Sequence, residues 1–236
     1  MTDPSKEVRK ELRELAEPDR AVKYQSFFKT GKGEYGEGDR FLGVRMPVIR
    51  KLVRRFRDIS IEEQLELLHS PWHEERMFAL ISMVEAFKRG DETLQKNIYK
   101  TYMNSADFIN NWDLVDVTAP HIPGAWLHDK EKEPLYDFAV QDHLWKKRIS
   151  IIATQHFIRR GEYFDTLRIS AILLNDEHDL IHKAVGWMLR EVGKKDMATE
   201  EQFLKKHYRK MPRTMLRYAI EKFPEALRQK YLKGRV

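Results

Sequence analysis

Residues 179–196, DLIHKAVGWMLREVGKKD, repeat their apolar side chains at intervals of three and four. Leu180, Ile181, Ala184, Val185, Met188 and Val192 fall in one stripe, the signature of an amphipathic helix. At about 100° per residue, Trp187 lies at the edge of that stripe, on the side of Lys183 and Arg190. An indole there either seals the core boundary or presents its face to a groove lined by cations.

The same period runs outward through the chain. IRKLVRRFRD, EEQLELLHS, RMFALISMVEAFKRG, ETLQKNIYKTYM, PLYDFAVQ, KKRISIIATQHFIRRGEY, TLRISAILL and RTMLRYAIEKF all carry it. No stretch alternates as a strand would. The breaks are short: SPW at 70, RGD at 89, LLND at 173 and KMPR at 210. The expectation is an all-α chain forming a single domain over 1–236. TGKGEYGEGDRFLG at 30–43 interrupts the pattern with five of the 11 glycines. It is a tightly turning or flexible loop, either a plain helix-to-helix connection or a segment that touches a ligand. It lacks the residue order of a phosphate-binding P-loop.

A longer repeat lies over the helices. Arg148, Lys183 and Arg217 are 35 and 34 residues apart, each in or before an apolar run. Arg76 precedes Arg148 by 72, and the midpoint of that interval is Trp112. A period near 35 points to a curved solenoid of HEAT-like antiparallel helix pairs, with equivalent positions stacked along one face. That face would carry a ladder of cations and one indole.

The bulk numbers bound the partners. Lys and Arg total 43 against 37 Asp and Glu, a net charge of +6 and a pI of about 9.3. The excess permits a polyanion without requiring one. Cysteine is absent, which excludes disulfides and thiolate nucleophiles. The N-terminus has no apolar signal core, and no run approaches the roughly 20 apolar residues of a membrane span. The expectation is a cytoplasmic protein.

NNWDLVD at 110–116 sets Trp112 and Asp116 four apart, on one face of a helix. Such a pair is often only a packing indole beside a surface carboxylate. A carboxylate in a phosphate-binding groove, however, is unfavourable unless a cation is placed against it. A positively charged base or an oxocarbenium-like sugar would serve, and indoles stack on either. His178 and His182 have the spacing of metal ligands, but no third ligand accompanies them, so no metal is expected. The other histidines, His73 among them, are scattered and read as ordinary surface or core polar groups.

WDLVD, LWKKRISII and KAVGWMLRE, with FLGVRMP near residue 41, resemble in order and spacing the hallmark segments of the AlkD-like DNA alkylation repair proteins. The similarity runs from about residue 20 to about residue 220. It implies a single HEAT-like domain curved around duplex DNA. It also implies a monofunctional glycosylase, without metal or cofactor, that hydrolyses the N-glycosidic bond of cationic N3- and N7-alkylpurines without flipping the base. Trp112, Asp116 and Trp187 match the family's active-site trio, and Arg148 matches its DNA-contacting arginine. Phe27 and Arg45 occupy positions near the lesion, although their identities and the longer loop at 30–43 depart from the best-known member. Lys183, Arg190, Arg76 and Arg217 complete the expected DNA-binding set. A monomer associated with the nucleoid through its DNA is implied. Two other readings stay open: a non-catalytic paralogue that binds damaged or branched DNA, and a protein-binding helical scaffold.

Overall fold

A computed structural model describes residues 3–236. Among them every regular element is helical, apart from one isolated β-bridge between Arg40 and Trp72. The chain forms two compact units, divided after Thr118.

The first unit holds α1 (Pro4–Glu14), α2 (Pro18–Phe27), α3 (Met46–Arg55), α4 (Ile61–Leu68), α5 (His73–Arg89), α6 (Glu92–Asn104) and α7 (Trp112–Asp116). Its centre is α5, where every residue from His73 to Val84 is buried. Buried all round, α5 packs against α1, α3, α4, α6 and α7. The helix ends are well marked. Asp3 caps α1, Asp91 caps α6, and Ser60 with Glu63 forms a capping box on α4.

The glycine-rich segment connects α2 to α3 as a tightly turned loop. Its last glycine, Gly43, has φ +82°, and a Cβ there would lie 2.3 Å from the Glu17 carbonyl. That close approach lets Glu17 N–H donate to the Leu42 carbonyl at 2.8 Å, fastening the loop to the start of α2.

The second unit holds α8 (Pro123–Trp126), α9 (Glu133–Val140), α10 (Leu144–Ala153), α11 (Gln155–Ile158), α12 (Phe164–Ile172), α13 (Asp179–Lys195), α14 (Met197–His207), α15 (Arg213–Ala219) and α16 (Glu225–Leu232). The continuous pattern expected over KKRISIIATQHFIRRGEY is divided at Thr154 into α10 and α11. The Thr154 hydroxyl donates to the Ile151 carbonyl at 2.7 Å, so a polar side chain takes up backbone valence where the helix stops. The long helix α13 buries Ile181, Ala184, Val185, Met188 and Val192, as its stripe requires, with Leu189 beside them.

Gly186 is buried because α15 crosses α13 there at backbone distance. A Cβ at Gly186 would meet the Met215 carbonyl oxygen at 2.4 Å and Tyr218 Cβ at 2.6 Å. We expect Gly186→Ala to destabilise the protein by about 1–3 kcal/mol through overpacking, despite alanine's better helix propensity. Urea unfolding followed by circular dichroism measures it.

Candidate DNA-lesion site

WDLVD forms its own short helix, α7. Asn111, fully buried, accepts the Trp112 N–H at 2.9 Å, and Asp113 Oδ1 accepts the Leu114 N–H at 2.8 Å. Leu114 and Val115 point into the core. Trp112, Asp113 and Asp116 are half-buried. The Tyr102 hydroxyl, buried beneath, shares a 2.9 Å hydrogen bond with Thr118, whose own hydroxyl donates to the Leu114 carbonyl at 2.5 Å. Burial raises the Tyr102 pKa, and the nearby Asp116 charge acts in the same direction.

Trp112 is held by rings. Phe28 stacks on it at 5.2 Å with planes 23° apart, and Phe27 meets it edge-on at 5.9 Å. Phe28 in turn stacks on Phe41 at 5.0 Å, and Phe41 on His73 at 4.4 Å. Phe27 remains 62% exposed, so an apolar ring stands in solvent beside the half-buried indole. An apolar cavity of about 500 Å³ adjoins the column, with Tyr24, Phe28, Phe41, Met46 and Met77 in its wall.

Beneath the rings lies a charge network that the scattered-histidine reading missed. His73 Nδ1 is 2.9 Å from Asp39 Oδ2, and its Nε2 is 2.9 Å from Asp113 Oδ2. Asp39 also accepts from Arg76 and, at 3.4 Å, from Asn111. Burial pushes the His73 imidazole down, but the two carboxylates outweigh it and raise its pKa to about 9. Burial pushes the Asp39 carboxyl up; His73 and Arg76 outweigh that and hold it below the usual range. Glu74 accepts the N–H groups of Leu42, Gly43 and Val44 at 2.8, 2.8 and 3.2 Å, which gives FLGVRMP its shape. Burial keeps the Glu74 pKa raised. The legible signal was HEER at 73–76, four ionisable residues immediately before the largely apolar run MFALISMV. Buried charges in such a place need internal partners.

The expected ladder of cations is not a row of free side chains. Arg76 is only 5% exposed, and its guanidinium serves Asp39 and the Ser70 carbonyl. A guanidinium with five donors in a fixed fork suits such an internal bridge. Arg148 is equally buried and donates to the Leu180 carbonyl at 2.7 Å, tying α10 to the start of α13. On α13, Lys183 pairs with Asp179 at 2.7 Å and Arg190 with Glu221. Half-buried Trp187 donates from its indole nitrogen to Glu191 at 3.1 Å. Arg217 and Arg45 are exposed. His178 accepts the Leu180 N–H and His182 bonds the Asp176 carbonyl, so both shape the entry to α13. Among the described residues no cluster of three or more potential metal ligands occurs.

The sequence profile of the DNA alkylation repair enzymes matches residues 8–223. This chain belongs to that family. No curated protein matches it. A solved structure of a predicted DNA alkylation repair enzyme from Enterococcus faecalis superposes with a TM-score of 0.71, covering 89% of this chain and 98% of that one. At 16% identity that likeness speaks for the fold alone. Family membership assigns the chain to the repair of alkylated DNA, and WDLVD, KAVGWMLRE and the FLGVRMP turn all lie within the matched span.

Phe28 is the ring that couples Trp112 to the rest of the column. Phe28→Ala is expected to cost about 3–5 kcal/mol of stability. It should also move the tryptophan emission to longer wavelength as Trp112 gains solvent, which steady-state fluorescence detects.

Proposed function

We propose that this family member is a monofunctional DNA glycosylase that hydrolyses the N-glycosidic bond of cationic N3- and N7-alkylpurines in duplex DNA. The observation that carries the reading is the clamped indole of Trp112, set one helical turn from the Asp116 carboxylate on α7.

The chemistry follows from charge. An alkylated purine leaves readily because it already bears a positive charge, so neither metal nor cofactor is needed to activate it. As the bond breaks, positive charge develops on the deoxyribose. Asp116 stabilises that oxocarbenium-like centre and orients the water that captures it. Trp112 packs against the sugar, excludes bulk water and offers an electron-rich face to the cation. The resemblance extends the same task to Trp187. Reading sugar and backbone rather than base edges leaves the lesion stacked in the duplex and makes binding independent of sequence.

Phosphates are met by the exposed cations Arg45 and Arg217. Lys183 and Arg190 can join them, because partly exposed ion pairs of about 0–1 kcal/mol exchange readily for a phosphate. The family resemblance gives Arg148 a DNA contact, and its bond to the Leu180 carbonyl would orient it for one. Arg76 acts from inside, through Asp39. The HEAT-like solenoid, action as a monomer and a cytoplasmic place on the nucleoid belong to the same proposal. Support for it is the residue-by-residue match of Trp112, Asp116, Trp187 and Arg148 to the family's motifs.

Purified protein with EDTA, incubated with duplex DNA carrying N7-methylguanine, should release the free base. Asp116→Asn should slow that release by about 100- to 1,000-fold, with binding nearly intact. No release alongside tight duplex or branched-DNA binding would replace the enzyme with a non-catalytic DNA-binding member. Separately, Arg217→Ala should reduce the slope of log K against log salt by about 1. An unchanged slope in a fluorescence-anisotropy titration would remove Arg217 from the phosphate contacts.

A further inference from the structure

His73 lies beneath the proposed site and touches none of the residues given a chemical step. Its two nitrogens face two different carboxylates, each at 2.9 Å. A neutral imidazole has one N–H and one lone pair, and could satisfy only one of them. Arg76 keeps Asp39 ionised from the other side. Two carboxylates, one guanidinium and one imidazolium sum to zero charge. Without the imidazole proton, the same buried cluster would carry an uncompensated negative charge. Glu74, next to it on α5, is occupied by three backbone amides, and Lys23 lines the cavity that His73, Glu74 and Asp113 also wall.

The partners come from three segments. Asp39 lies within the glycine-rich loop, His73 and Arg76 open α5, and Asp113 stands in the first turn of α7 beside Trp112. A second path joins the same parts, since the rings of His73, Phe41, Phe28 and Trp112 stack in sequence. The five residues of α7 are too few to hold themselves as an isolated helix. Their placement depends on what grips them from outside: the rings hold Trp112, and His73 holds Asp113.

We infer that His73 is a positioning residue for the repair reaction: as an imidazolium bridging Asp39 and Asp113 it clamps α7 and thereby sets Trp112 and Asp116. The inference rests on the glycosylase reading for its link to rate, but not for its link to geometry. With its raised pKa of about 9, His73 stays charged at neutral pH. The sign follows: the clamp's contribution to stability is fully present below the ordinary histidine value of about 6.5 and is lost as pH rises through about 9, where the imidazolium itself is lost.

The test combines a rate with a local probe. The protein is labelled with 5-fluorotryptophan, and the Trp112 resonance among its five tryptophans is assigned with Trp112→Phe. His73→Gln, which can bond one carboxylate but carries no charge, should shift and broaden that resonance. It should also lower single-turnover excision about 10- to 100-fold at pH 7.5, with duplex affinity changed less than about threefold. In the wild type the Trp112 resonance should move with a midpoint near pH 9, and in His73→Gln that step should vanish. Asp113→Asn should reproduce the shifted resonance by cutting the clamp from the other side. An unmoved Trp112 resonance in both variants, or one constant in the wild type from pH 7 to 10, overturns the clamp. A moved resonance with full excision overturns its role in the rate. If the wild type releases no base, the glycosylase reading fails and the resonance alone decides whether His73 sets α7. If His73→Gln does not fold, the wild-type pH titration and Asp113→Asn still decide it.

Discussion

A buried imidazole held between two carboxylates organises the first unit. His73 draws together Asp39, 34 residues before it, and Asp113, 40 residues after it. Breaking a buried charge network from one side leaves an uncompensated ion and typically costs about 3–5 kcal/mol. The network therefore tolerates few alternative arrangements of the glycine-rich loop, α5 and α7. Its neighbours on the same helix turn extend the principle. Glu74 shapes the end of the loop through three amides, and Glu75 takes Arg9 of α1 at 3.2 Å. One charged helix start thus fixes three surrounding segments.

The aromatic column is the apolar counterpart of that network. Its rings stack from His73 to Trp112, with the outermost contact, Phe27, left in solvent. An indole presented this way is rigid, and its exposed face has no conformational freedom to lose when a ligand packs against it. Rigid presentation suits a chemistry in which charge develops on a sugar and the stabilising groups must already be in place.

The second unit uses backbone proximity. Gly186 lets α15 press on α13, which holds the helix bearing Lys183, Trp187 and Arg190 in a defined rotation. Arg148 secures the start of the same helix through the Leu180 carbonyl. The cations on α13 are balanced by carboxylates rather than left bare, which limits self-repulsion.

Much of this was legible in the residue order, because local periodicity is a local property. The helical class, the short breaks and the α13 face with Trp187 at its edge follow from spacings of three and four. So does the pairing of Trp112 with Asp116 on a single helix, and the family itself was readable in WDLVD and KAVGWMLRE. What sequence periodicity could not decide is which distant partner each polar group meets. His73 looked ordinary because neither of its carboxylates is near it in the chain. Arg76 and Arg148 were placed on one cation-bearing face by their repeat spacing, and the structure shows each of them buried and bonded to another segment. The glycine-rich loop could be read as either tightly turning or flexible because its anchor, Asp39, acquires a partner only when α5 is brought against it. Only the tertiary structure settles these points, since burial turns an isolated charge into a cost that a remote segment must answer.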